Sequence, residues 1–117
     1  MANNIAFQPM GKTVKITASS TAVNNANVVA DSPSNQYCLV NHTSQPAYVW
    51  ISPGDNPVNV ALPTGSNSNA AYAMIVDKNA RIVITGPQCS SSKPVQVSVI
   101  AETDSPEVYI TPGEGLA

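Results

Sequence analysis

The residues that could carry chemistry are few, and they do not converge in the sequence. His42 is the single histidine, and neither Cys38 nor Cys89 stands at a metal-ligand spacing from it. A metal centre or a histidine-activated nucleophile needs several convergent partners. The motifs of serine hydrolases, phosphate-binding loops and dinucleotide-binding folds do not occur. The sequence therefore predicts a protein that is not an enzyme and holds no metal or cofactor.

Two further motifs have simple structural interpretations. Glu102, Asp104 and Glu107 lie close enough in sequence to bind a cation weakly, but a solvated acidic loop is the simpler interpretation. The triplet Asn41-His42-Thr43 matches the acceptor sequon for N-glycosylation. The N-terminal residues have neither the basic region nor the apolar stretch of a secretory signal. We therefore expect synthesis in a cytoplasm, an unmodified sequon and reduced cysteines.

Three aromatic side chains define the candidate surface. In the segment Tyr48-Val49-Trp50-Ile51 the two-residue period of a β-strand places both rings on one face and both aliphatic side chains on the other. Tyr72 lies in a second segment, 71–76, whose two faces are also both apolar. A strand of an antiparallel sandwich ordinarily has one solvent-exposed face. A strand with two apolar faces therefore needs a second group of residues that shields its outer face from water.

Four interpretations of the second apolar face are open. The N-terminal arm covers it, another subunit covers it, the rings lie half exposed, or the aromatic residues form a carbohydrate-binding platform. Deletion of residues 1–11 is expected to leave the melting of the fold nearly unchanged and to lower partner binding by orders of magnitude. The candidate protein–protein interface residues are Ile5, Phe7, Met10, Tyr48, Trp50 and Tyr72.

The elements that must position these side chains are short β-strands. Runs of Val, Ile and Tyr recur about every 8–12 residues and are separated by Pro, Asn, Ser and Gly. The pattern predicts an all-β fold, an antiparallel β-sandwich with about eight strands, which is enough for a jelly roll or an immunoglobulin-like sandwich. Residues 36–41 and 47–52 are predicted to form a hairpin. The other predicted strands cover residues 12–18, 27–30, 58–62, 70–77, 81–85 and 94–102.

The domain organisation and charge narrow the function further. The chain is predicted to be a single domain, 1–117, with residues 1–11 as an N-terminal arm and 107–117 as a C-terminal extension. Charged residues make up 10% of the sequence, and the net charge is -2. Five basic residues give no electrostatic footprint for nucleic acid, and no apolar run is long enough to span a membrane.

The ends of the chain carry a family resemblance. The opening residues 1–12, MANNIAFQPMGK, and the closing residues 107–115, EVYITPGEG, flank a charge-poor domain rich in Asn, Ser, Thr and Pro. In this the chain resembles small virion proteins of tailed bacteriophages, above all the jelly-roll decoration, or cement, proteins of the head.

The resemblance implies a structural protein of the virion, made in the host cytoplasm. Such a protein binds the major capsid protein as a homodimer or homotrimer and bridges capsomers. The alternative is a tail or fibre domain that binds a host surface glycan through Tyr48, Trp50 and Tyr72.

Overall fold

The computed structural model describes residues 6–65, 70–103 and 105–114. Those ranges contain nine strands and no helix, and hence no helix that could cross a membrane. The strands are β1 (Gln8–Pro9), β2 (Val14–Thr17), β3 (Asn24–Val28), β4 (Ser34–Asn41), β5 (Ala47–Pro53), β6 (Met74–Val76), β7 (Arg81–Cys89), β8 (Val95–Ile100) and β9 (Glu107–Glu114).

The strands form two antiparallel sheets that pack as a sandwich. In sheet A, β1 and β2 lie end to end along one edge of β9, and β4 and β7 follow on its other side. Sheet B has the order β3-β8-β5-β6. The pairs are nested: β5 with β6, β4 with β7, β3 with β8 and β2 with β9. A long hairpin wrapped around a common core gives this connectivity, which is that of a jelly roll. The predicted all-β sandwich is confirmed, with β1 as a ninth strand.

The core lies between the sheets and consists mainly of β-branched side chains. Val95, Val97 and Val99 of β8 are fully buried and alternate with residues that point outward, as the sequence predicts. Tyr37 is the largest buried side chain, and its hydroxyl donates a hydrogen bond to the Pro87 carbonyl. Burial raises the pKa of Tyr37. The phenol can therefore sit in the core as a neutral, hydrogen-bonded group.

Several predicted elements differ from the structure. β4 and β5 lie in different sheets, so residues 36–41 and 47–52 do not form the expected hairpin. Residues 58–62 form no strand. β7 continues past Gly86 and Pro87 because a register shift opposite residues 34–36 accommodates them. Cys89 is therefore a core residue and not a loop residue, while both cysteines are free as expected.

The C-terminal extension predicted for 107–117 is, over residues 107–114, the strand between β2 and β4. Its proline is tolerated for a geometric reason. The N–H and C=O of a residue in an extended strand point to the same neighbour, and the Pro112 carbonyl accepts a 2.9 Å hydrogen bond from Met10 N. The missing N–H of Pro112 therefore faces the interruption between β1 and β2, where no ladder bond is lost.

The described part of the predicted N-terminal arm also belongs to the sandwich. Gln8 and Pro9 pair with β9, and the Met10 carbonyl accepts a 2.6 Å hydrogen bond from Asp31 N. The Phe7 ring lies over Gly113, where an added Cβ would stand 2.5 Å from its Cζ. The arm thus packs on sheet A and does not cover the aromatic residues of β5. Ile5 lies outside the described residues.

Candidate interaction surface

The outer face of sheet B carries the aromatic residues singled out in the sequence. Tyr48, Trp50 and Ser52 of β5 alternate with Val49, which is fully buried between the sheets. Across the sheet, Tyr48 pairs with Ile100 of β8 and Ile75 of β6. The inferred two-faced character of this strand is correct, and something must cover its outer face.

The chain supplies part of that cover itself, through residues 58–61, which we call the strap. Val58 N donates to Ser52 Oγ at 2.9 Å, and Val60 N donates to Ser98 Oγ at 3.0 Å. Val60 is only 1% exposed, yet it is not part of the cluster between the sheets. The strap therefore builds a small second layer, in which serine hydroxyls take the place of a neighbouring strand.

Side-chain amides complete the attachment of the strap. Asn59 Oδ1 accepts hydrogen bonds from Asn25 Nδ2 at 3.1 Å and from Gln96 Nε2 at 3.4 Å. These contacts join β3, β8 and the strap without any charged residue. Some of the many Asn and Gln side chains of this sequence therefore have a structural role.

Replacing Ser98 by alanine tests the strap directly. Ser98 is fully buried, and its loss leaves the Val60 N–H in a dry site without its acceptor. We expect the free energy of unfolding to fall by about 1–3 kcal/mol in urea denaturation. The matched control Ser44→Ala removes an exposed hydroxyl and is expected to change stability by less than about 0.5 kcal/mol. Equal effects of the two substitutions would contradict this role of the strap.

Beyond the strap, one part of the face stays open. Tyr72 is 60% exposed and Ile75 is 53% exposed. The Tyr72 ring contacts Trp50 with centroids 5.3 Å apart and planes tilted by 55°. We call Trp50, Tyr72 and Ile75 the aromatic patch. Tyr48 lies on the same face, where its hydroxyl donates to Glu102 Oε1 at 3.3 Å. Desolvation by burial, together with the Glu102 carboxylate, raises the pKa of Tyr48.

A groove of about 420 Å³ opens beside the patch, between β5 and the edge of β7. Its walls are mainly apolar and include no ionisable side chain. They are formed by Val49, Trp50, Ile51, Met74, Ile84, Thr85, Gly86 and Pro87.

The remaining chemical motifs do not assemble into a site. His42 is exposed, and the described residues contain no group of three or more potential metal ligands. Asp104, one of the three clustered acids, lies outside those residues. Asn41 of the sequon is fully buried, with three carbonyl oxygens within 3.2 Å of its Nδ2. In the folded protein its amide is therefore a structural donor.

No protein-family model, curated protein or solved structure matches this chain. What the surface can bind follows from its own composition, in which Tyr72 and Ile75 are exposed beside the half-buried Trp50. Exposed apolar clusters of this kind favour contact with another macromolecule.

Proposed function

We propose that this protein is a non-enzymatic structural protein of a virus particle. It decorates a tailed-phage head by binding the major capsid protein on the outer surface and bridging capsomers. The observation that carries the proposal is the aromatic patch, exposed on the outer face of a jelly roll. Jelly rolls are a recurrent architecture of viral capsid proteins. The chain as a whole, poor in charge and rich in Asn, Ser, Thr and Pro, resembles decoration proteins.

Decoration of a symmetric particle suits a small apolar contact. Burial of one large apolar side chain contributes about 1.5–3 kcal/mol, so Tyr72 and Ile75 together supply a modest affinity for one site. A particle repeats the same site many times, and an oligomeric ligand that engages several sites gains avidity without new contacts. The proposal thus needs neither a deep pocket nor a charged interface.

A binding assay on particles that lack the protein tests this proposal. We expect Tyr72→Ser/Ile75→Ser to fold normally and to lower particle affinity on the order of 100-fold. The control is Val29→Ser, which removes a side chain of similar exposure, 45%, outside the patch. Normal decoration by the double variant, or an equal loss in the control, would refute the patch as the capsid contact.

A second candidate function is glycan binding by a tail or fibre domain. It is favoured by the tilted contact between Trp50 and Tyr72, since exposed aromatic rings stack on sugar faces. Trp50 is the single tryptophan, so its fluorescence reports on this site alone. A saturable fluorescence change with host surface polysaccharide, absent in Tyr72→Ser, would favour this candidate over decoration. No change with the polysaccharide would dismiss it.

A further inference from the structure

The free edge of β7 differs from the other sheet edges in the described residues. β1 and β2 are interrupted between residues 9 and 14, and β6 has three residues. β3 is tied to β2 where Asn24 Nδ2 donates to the Thr17 carbonyl at 2.6 Å. β7 has nine residues, and its central stretch 82–86, Ile-Val-Ile-Thr-Gly, contains no charge and no proline. Natural sheets usually blunt edges with such devices, so an unprotected edge is a template for strand pairing.

The hydrogen-bond pattern shows which backbone groups this edge offers. Asn41 N donates to the Ala80 carbonyl at 2.9 Å, which continues the β4–β7 register and makes that pair a hydrogen-bonded one. Hydrogen-bonded pairs alternate along an antiparallel ladder, so Ile82 and Ile84 also bond to β4. The N–H and C=O groups of Val83 and Thr85 therefore point away from the sheet.

We propose that β7 pairs with β7 of a second copy, antiparallel, about a two-fold axis at Ile84. Val83 then lies opposite Thr85 of the second copy, and the reverse pair is generated by symmetry. Each pair exchanges two backbone hydrogen bonds. The outward N–H and C=O groups of Val83 and Thr85 therefore find partners in both copies. The donor and acceptor spacing of this short edge is thus complementary to itself, as an isologous interface requires.

The groove beside β7 provides the apolar part of the same interface. A two-fold axis perpendicular to sheet A joins the two copies of sheet A into one continuous sheet. The core-facing sides of both copies then lie on the same side of that sheet. Ile82 of the second copy lies opposite Gly86, which lines the groove together with Trp50 and Pro87. Gly86 itself packs against the Tyr37 ring, so Ile82 enters the open part of the groove beside it. Ile82 and Ile84 are only partly buried in one copy and pack against the core. Pairing completes their burial.

The charges and the strand ends set the limits of the pairing. Arg81 is the only charged side chain of β7 and lies outside the paired stretch. In this register it stands opposite Pro87 of the second copy, so like charges do not meet. Pro87 has no N–H, and its carbonyl already accepts the Tyr37 hydroxyl, which ends the ladder after residue 86.

Charge substitutions at the edge test both the dimer and its register. Val83 and Thr85 have outward side chains on sheet A, so Val83→Lys/Thr85→Lys places two lysine pairs opposite each other in the dimer. We expect analytical ultracentrifugation to show a dimer of the 12.1 kDa chain, and a dissociation constant raised about tenfold or more by this variant.

The matched variant Val83→Lys/Thr85→Glu places lysine opposite glutamate at the same two positions and is expected to restore dimerisation. Circular dichroism confirms that each variant is folded. A wild-type chain that stays monomeric at millimolar concentration, or two variants with the same dissociation constant, would overturn the proposal. Neither result bears on capsid binding by the aromatic patch.

Discussion

Asn41→Asp is expected to lower the free energy of unfolding by about 3–5 kcal/mol at neutral pH, because it buries a charge among acceptors. Asn41 is fully buried, and its Nδ2 donates to the carbonyl oxygens of Gln45, Val76 and Asp77 at 2.7, 3.2 and 3.2 Å. A carboxylate supplies no donor and faces all three oxygens with negative charge. The Asn41 side chain joins the β4–β5 connection to the β6–β7 connection, so loss of its hydrogen bonds destabilises both.

The pH dependence of this variant gives a second readout. Burial and the facing carbonyls favour the protonated carboxyl, which raises its pKa in the folded state above that of the unfolded chain. The destabilisation is therefore largest above the folded-state pKa and shrinks as the pH falls and the new carboxyl takes up a proton. Urea denaturation at several pH values measures both effects. Asn27→Asp, at an exposed site of β3, is the control. Equal losses at the two positions would contradict the role of Asn41.

Gly113→Val is expected to detach the N-terminal segment from the sandwich and to destabilise the fold by about 1–3 kcal/mol through overpacking. An added Cβ at Gly113 would stand 2.5 Å from Phe7 Cζ and closer still to the Gln8 carbonyl oxygen. The side chain cannot be accommodated without displacing β1. For the same reason, deletion of residues 1–11 is expected to lower the melting temperature, contrary to the expectation from sequence.

Hydrogen exchange measures the detachment. The Met10 amide, which donates to the Pro112 carbonyl, and the Asp31 amide, which donates to the Met10 carbonyl, should lose protection while β8 keeps its own. Gly65→Val at an exposed position is the control. Unchanged protection of both amides in Gly113→Val would show that Phe7 and β1 are not held by this contact.

Local patterns predicted the fold class because they report burial. The alternation of Val95, Val97 and Val99 identified one face of β8, and turn residues separated the strands. The same patterns could not predict strand partners. β4 and β5 are adjacent in sequence and joined by a short loop, yet they lie in different sheets. The sheet that each strand joins is determined by nested pairs of strands that are far apart in sequence. Such pairs produce no pattern among neighbouring residues.

The aromatic patch was predictable, whereas its surroundings were not. Tyr48 and Trp50 share a face by strand periodicity alone. The strap was predicted to be part of a strand, but the N–H groups of Val58 and Val60 donate to Ser52 and Ser98 and not to a neighbouring strand. Two serines facing outward look like ordinary surface residues in a sequence. Phe7 was assigned to an arm because Pro9 and Gly11 disfavour a regular strand. Its partner Gly113 has no side chain, so nothing in the sequence indicates their close contact.

Electron microscopy of phage particles with and without this protein tests the central claim most directly. Decoration of the head predicts a difference density on the outer capsid surface at symmetry-related positions, with the aromatic patch of the fitted jelly roll against the major capsid protein. The density should vanish when Tyr72→Ser/Ile75→Ser replaces the wild-type chain and persist with Val29→Ser. Difference density on the tail or its fibres, or no difference on the particle, would contradict the claim.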